Sequence, residues 1–182
     1  MNKILAITGM TGVGKDFLVS KANAGINMQT VNLGTLVGNI LQSNRDQMME
    51  LTDTATMRAA QQAAYEKVVE LQPLVVTCHA IRKQENGYGY AYEMEKLLSP
   101  MAYVFISAPA HIIAERVRNR NQKGLRKSAE LSVLQIIELQ ELKLDAMKEL
   151  TKKLGCELVV LDNTADNLGD NIKTLRSYMR RL

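Results

Sequence analysis

The stretch that decides the fold is Ile4-Leu5-Ala6-Ile7-Thr8-Gly9-Met10-Thr11-Gly12-Val13-Gly14-Lys15-Asp16. Its apolar first half, taken from Asn2 to Thr8, reads as a short strand. Its second half, Gly9 to Asp16, fits the phosphate-loop frame G-x-x-x-x-G-K-S/T at every fixed position but the last, and a helical pattern follows from Gly14 until Gly25. Strand, glycine loop and helix in that order is the context the frame requires. Glycines allow backbone angles that turn several N–H groups inward, and a helix start adds roughly half a positive charge, so phosphates are held largely by main chain. Lys15 supplies a mobile full charge for the outer phosphates. An ordinary glycine-rich turn would explain the glycines but not the lysine at this spacing. The stretch Gly9, Met10, Thr11, Gly12, Val13, Gly14, Lys15, Asp16 and the adjoining Phe17 is therefore expected to bind a nucleotide's phosphates.

Asp16 stands where the frame usually has a hydroxyl. A carboxylate at about 4 Å from another anion is repelled by about 4 kcal/mol at an effective dielectric near 20, and a divalent cation between them reverses that balance. Asp16 is thus a candidate metal ligand. Alternatively, it complements the positive end of its own helix, as any acid there does.

Outward from the loop, Met28 to Asn32 is a second candidate strand, and the runs Leu74 to Cys78, Ala102 to Ser107 and Leu158 to Leu161 are three more. They are continuous rather than alternating, which suggests strands buried on both faces of a parallel sheet. Helical spacing marks Gly34 to Ser43, Asp53 to Leu71 (with Thr52 as its cap), Glu93 to Leu98, Ala110 to Arg120, Glu130 to Leu154 and Asn167 to Arg181. The class is α/β: three layers around a five-stranded parallel sheet. At 182 residues, 46% hydrophobic and 23% charged, the chain is expected to form one globular domain, 1–182, because it stays under the roughly 250-residue limit of a single core.

The net charge of +4 is too small to imply nucleic-acid binding, but its basic residues are not spread evenly. Arg116, Arg118, Arg120, Lys123, Arg126 and Lys127 fall within twelve residues that contain no acid. By itself that reads equally as a solvated helix end that could touch RNA; with the phosphate loop upstream it reads as cationic cover for moving phosphates. Cys78 and Cys156 fit neither a disulfide framework nor a C-x-x-C site, and the N-terminal apolar run is too short for an export signal. These features predict a cytoplasmic protein with reduced thiols. The uncharged stretch Leu97 to Ala114 approaches membrane length, but Pro100, Pro109, Ser99, Ser107 and His111 make a strand and helix the better reading.

Val31-Asn32-Leu33-Gly34-Thr35, then Asn44-Arg45-Asp46-Gln47-Met48, then Val76-Thr77-Cys78-His79 with Gly87-Tyr88 behind it, resemble the archaeal-type adenylate kinases, collinearly over almost the whole chain. The resemblance implies a nucleoside monophosphate kinase fold of the P-loop NTPase type with strand order 2-3-1-4-5, acceptor-binding helices at about 33–72 and a lid at about 117–130. It implies ATP as donor, Mg2+ as cofactor, AMP as acceptor and a homo-oligomer, often a trimer in that family. By position, Gly34 and Thr35 border the acceptor, Arg45 and Lys83 lie near its phosphate, and His79 matches the histidine after the third strand. Arg116 and Arg120 match the pair at the lid entrance, one against the donor adenine and one at the phosphates; Arg126 matches a lid arginine, and Asn163 and Thr164 the loop beside the donor base. Two positions depart from the family. Ser128 replaces its second lid arginine, with Lys127 as a substitute, and Thr77 replaces the aspartate at the end of the third strand. Asp16 is expected to compensate for that lost carboxylate.

Lys15, Arg116, Arg120 and Arg126 are the expected catalytic set, because phosphoryl transfer needs aligned oxygens and positive groups around spreading charge. No base is required, since an acceptor phosphate is already an anion. Two other readings remain: a kinase for a deoxynucleoside monophosphate or another small phosphorylated metabolite, and a nucleotide-binding regulatory or RNA-associated module with little turnover. Tyr88, Tyr90 and Tyr92 could stack on the acceptor base or fold inward. Leu134, Ile137, Leu144 and Met147 are expected to be core or oligomer surface.

Overall fold

A computed structural model describes residues 2–42, 54–84, 87–124 and 130–182, with only the backbone of Thr54, 82–84 and 87–89. The main sheet contains β1 (Asn2–Gly9), β2 (Thr30–Asn32), β3 (Leu74–Thr77), β6 (Pro100–Ser107) and β7 (Glu157–Asp162), in the order β2-β3-β1-β6-β7. Every pairing is parallel. Numbered within this sheet alone, that is the expected 2-3-1-4-5. A small antiparallel hairpin, β4 (Arg82–Gln84) with β5 (Gly87–Gly89), stands apart from it and was not anticipated from the sequence.

The central strands are apolar throughout because helices cover both faces. Successive side chains point to opposite sides, so Leu5, Ile7, Val75, Val104 and Ile106 enter one core and Ile4, Ala6, Leu74, Val76, Tyr103 and Phe105 the other. The first core is closed by α1 (Lys15–Asn23), α5 (Ala110–Gln122) and α7 (Leu168–Met179). The second is closed by α2 (Leu33–Ile40), α3 (Thr54–Glu70), α4 (Tyr92–Leu98) and much of α6 (Val133–Leu154). Among the described residues, no helix is long and apolar enough to cross a membrane.

Where boundaries differ from expectation, side chains account for it. β2 begins at Thr30 rather than Met28 because Asn23 holds the Met28 N–H and carbonyl, both at 2.8 Å, against the end of α1. Asn32 accepts from the Thr35 N–H at 3.1 Å and starts α2 one residue earlier than the periodicity suggests. Ser132 and Gln135 form a reciprocal capping box, which moves the start of α6 from 130 to Val133, and Gly155 ends that helix at a φ of 67°. Thr52, the expected cap of α3, lies outside the described residues.

Candidate active site

The phosphate loop joins β1 to α1 at the carboxyl edge of the sheet, where open parallel sheets bind ligands. Gly9 and Gly14, two fixed glycines of the frame, have φ of 144° and 93°. A Cβ at Gly9 would lie 2.4 Å from the Ile106 carbonyl oxygen, and one at Gly14 would lie 2.6 Å from Asn163 Nδ2. Conformation and space both demand glycine at these two positions.

Donors from three elements hold the loop's carbonyls. Lys15 Nζ donates to the oxygens of Gly9 at 2.8 Å and Met10 at 2.9 Å. Arg116, on α5, donates from Nη1 to Gly12 O at 3.1 Å. Asn163, buried just past β7, donates from Nδ2 to Val13 O at 2.6 Å. A trans peptide points its N–H opposite its C=O, so these bonds turn the N–H groups of the following residues the other way. The side chains of Met10 and Val13 are buried in the core, leaving their main chain as the part able to meet a ligand.

A cavity of about 220 Å3 opens beside this loop. Thr11, Gly12, Gly14, Lys15, Asp16 and Phe17 form one wall; Asn32, Gly34, Thr77, Cys78 and His79, from the ends of β2 and β3 and the start of α2, form a second, and Arg120 of α5 completes the lining. A broader groove, about 770 Å3, continues from it past Asp16, Asn32, Thr35 and Thr77 along β2. Asp16 is exposed and Phe17 is 49% exposed at the mouth, with Lys21 Nζ 5.7 Å from the centre of its ring. Asp16 and Thr77, two positions that depart from the expected motifs, line the same space.

The structure thus brings together most of the residues singled out from sequence. Arg116 and Asn163 meet the loop's backbone rather than open space. Thr164 stands further off; its hydroxyl accepts from the Asn167 N–H at 3.3 Å and shapes the turn into α7. Lys83 lies on β4, where only the backbone is described; Arg45 and Arg126 lie outside the described residues. Tyr90 and Tyr92 pack against the second core, with the Tyr90 hydroxyl donating to Glu149 at 2.8 Å, so these two fold inward. Met147 is fully buried and Leu144 partly buried in the core; Leu134 and Ile137 are exposed.

Several residues escaped sequence reasoning. Asn32 and Cys78 line the cavity. Gln140, on α6, grips both polar groups of Ala108, its oxygen accepting at 3.2 Å and its amide donating at 3.1 Å. Lys143 donates to Ile81 O at 3.4 Å, two residues past His79, and burial pushes its ammonium pKa down. A lysine between Leu142 and Leu144 was the available signal.

Among the described residues no group of three or more His, Cys, Asp or Glu side chains could cage a metal ion. Mg2+ in general needs no such cage, because it keeps several waters and takes oxygens from substrate phosphates plus one or two protein oxygens. Asp16 and the Thr77 hydroxyl are the protein oxygens placed to contribute.

Comparisons with known proteins agree with this geometry. The family model for the AAA domain matches residues 8–135. The adenylate kinase of Methanococcus aeolicus is 26% identical over 195 residues, covering 98% of this chain and 98% of its own. That of Thermoplasma acidophilum is 29% identical over 143 residues, covering 75% and 76% respectively. A solved shikimate kinase from Acinetobacter baumannii, in complex with shikimate, superposes with a TM-score of 0.64 at 12% identity over 100% of this chain and 95% of that one, a likeness of fold. With the family model spanning the loop, three of the five sheet strands and α5, the chain belongs to the AAA domain family, as a phosphate-loop kinase similar to adenylate kinases.

Proposed function

We propose that the protein transfers the terminal phosphoryl group of ATP to a nucleoside monophosphate, with AMP as the acceptor and ADP as both products. The observation carrying this reading is one cavity with the phosphate loop, Lys15 and Arg120 on one side and Asn32, Gly34, Thr77 and His79 on the other. An acceptor phosphate held on the second wall faces a donor phosphate held on the first, which supplies the alignment such a transfer needs. An acceptor phosphate oxygen bonds to the γ-phosphorus as the bond to the β,γ-bridging oxygen breaks, and the bridging oxygen leaves with ADP. No proton need be removed.

Lys15 and Arg120 offset charge spreading over the moving group; Arg116 and Asn163 hold the loop in its receiving shape. Arg126, from the expected lid, Arg45 and Lys83 are assigned to the phosphates by resemblance alone. Gly34, Thr35 and His79 border the acceptor, between the arm made of α2 and α3 and the end of β3. Mg2+, when bound, neutralises charge between the donor phosphates, and Asp16 orients it. Asp16→Asn is expected to raise the Mg2+ concentration needed for half-maximal rate by about tenfold; an unchanged requirement removes Asp16 from that role.

The departures at Asp16 and Thr77 favour a second reading in which the acceptor is a deoxynucleoside monophosphate or another small phosphorylated metabolite. ADP release measured across a panel of monophosphates decides between the two. AMP as the best substrate supports the first reading, and no turnover with AMP eliminates it. Salt-sensitive RNA binding without acceptor-stimulated ATP use would support the regulatory reading instead.

A further inference from the structure

α3 is fastened at two points. At its end, Gln72 accepts from the Lys3 N–H at 2.6 Å and donates to the Asn2 side chain at 3.5 Å, which ties it to the start of β1. About 10 Å back along the helix, Tyr65, with no exposed surface, donates its hydroxyl to Glu95 Oε1 at 2.5 Å. The other oxygen of Glu95 accepts from the Tyr103 hydroxyl on β6, also at 2.5 Å, and Glu95 is itself fully buried. Burial and the neighbouring Glu95 charge raise the Tyr103 pKa, which keeps that hydroxyl a donor.

Among the described residues, the apolar side chains that α3 brings to this core include Met57, Ala60, Ala64, Val68 and Val69. Apolar packing of this kind is less directional than a hydrogen bond between named atoms. α4, which carries Glu95, is itself fixed, since Asn2 donates to Leu97 O at 3.3 Å and Leu98 O at 2.8 Å. The carboxylate is therefore a joint between a fixed strut, the sheet and α3. Cys78, which lines the cavity, belongs to the same buried cluster as Tyr65 and Tyr103.

We propose that Glu95 is a positioning residue: through Tyr65 and Tyr103 it sets the direction of the N-terminal half of α3, and with it the acceptor wall carried by α2, relative to the phosphate loop. The inference rests on the reading of α2 and α3 as the acceptor side. A network kept only for stability could be replaced by apolar groups of similar volume without kinetic consequence. The test is the triple variant Tyr65→Phe, Glu95→Met, Tyr103→Phe, compared with wild type in Tm, acceptor KM and donor KM.

The expected result is a folded protein whose acceptor KM rises about tenfold while its donor KM stays within about twofold. An acceptor KM equal to that of wild type overturns the inference. If the triple variant does not fold, Tyr65→Phe alone, which leaves the Glu95–Tyr103 bond in place, must raise acceptor KM severalfold, and no rise overturns it equally. Wild-type turnover with unaffected variants defeats this inference alone. Absence of turnover by wild type with any monophosphate defeats the proposed function and takes this inference with it.

Discussion

The two walls of the cavity are held in opposite ways. On the loop side, the lining residues all come from one short stretch, Thr11 to Phe17, after a single strand; its shape is fixed by glycines at φ of 93° and 144° and by side chains on the loop's own carbonyls. On the other side, residues come from the ends of β2 and β3 and the start of α2, backed by α3 and α4 through a largely apolar interface that contains a buried polar joint. The first is held by glycine geometry together with hydrogen bonds to its own carbonyls, the second mainly by packing against helices. A polyphosphate is alike in every nucleotide and suits a fixed cradle. An acceptor must be selected and enclosed, which suits a wall mounted on helices.

Removing a charge on the loop side should produce the largest effect. Lys15→Ala is expected to lower kcat by about a thousandfold with little change in Tm, since the ammonium serves the transferring phosphoryl and its loss leaves the core intact. A mild kinetic effect would mean the loop is a plain connection. Asn163→Ala should be smaller: releasing Val13 O loosens the cradle, raising donor KM by about tenfold, or about 1.4 kcal/mol, with acceptor KM unchanged. A rise in acceptor KM instead would erase the distinction between the walls.

The smallest effect concerns alkali. The Tyr103 pKa is raised above its ordinary 10.0 in the folded state, so its contribution to stability is complete below about pH 10 and declines as pH climbs toward the folded value. Denaturant midpoints should thus fall above about pH 10, and less steeply in Tyr103→Phe. Identical slopes would show that the phenol does not couple to folding.

The same contrast explains what the sequence made legible. The loop was readable because its glycines, lysine and flanking elements lie within one short stretch, and the sheet because its strands are unbroken apolar runs. The arm was less so. Glu95, in Tyr92-Glu93-Met94-Glu95-Lys96, looks like any acid on a surface helix, and only the folded chain brings Tyr65 and Tyr103 to it. Gln140 and Lys143 are single polar residues on a long helix with no motif around them. The hairpin at 82–89 was missed because Arg82-Lys83-Gln84 shows no apolar alternation. For Glu95, Gln140 and Lys143 the deciding partner is far away in sequence.

The central claim is that main-chain amides of the loop grip a polyphosphate. It is tested most directly by following the backbone N–H resonances of Gly12, Gly14 and Lys15 in a two-dimensional spectrum as ATP and Mg2+ are added. These amides should shift strongly and saturate together, ahead of any change on α2 or α3. Loop resonances that stay in place while ATP binds elsewhere, or does not bind, would contradict the account.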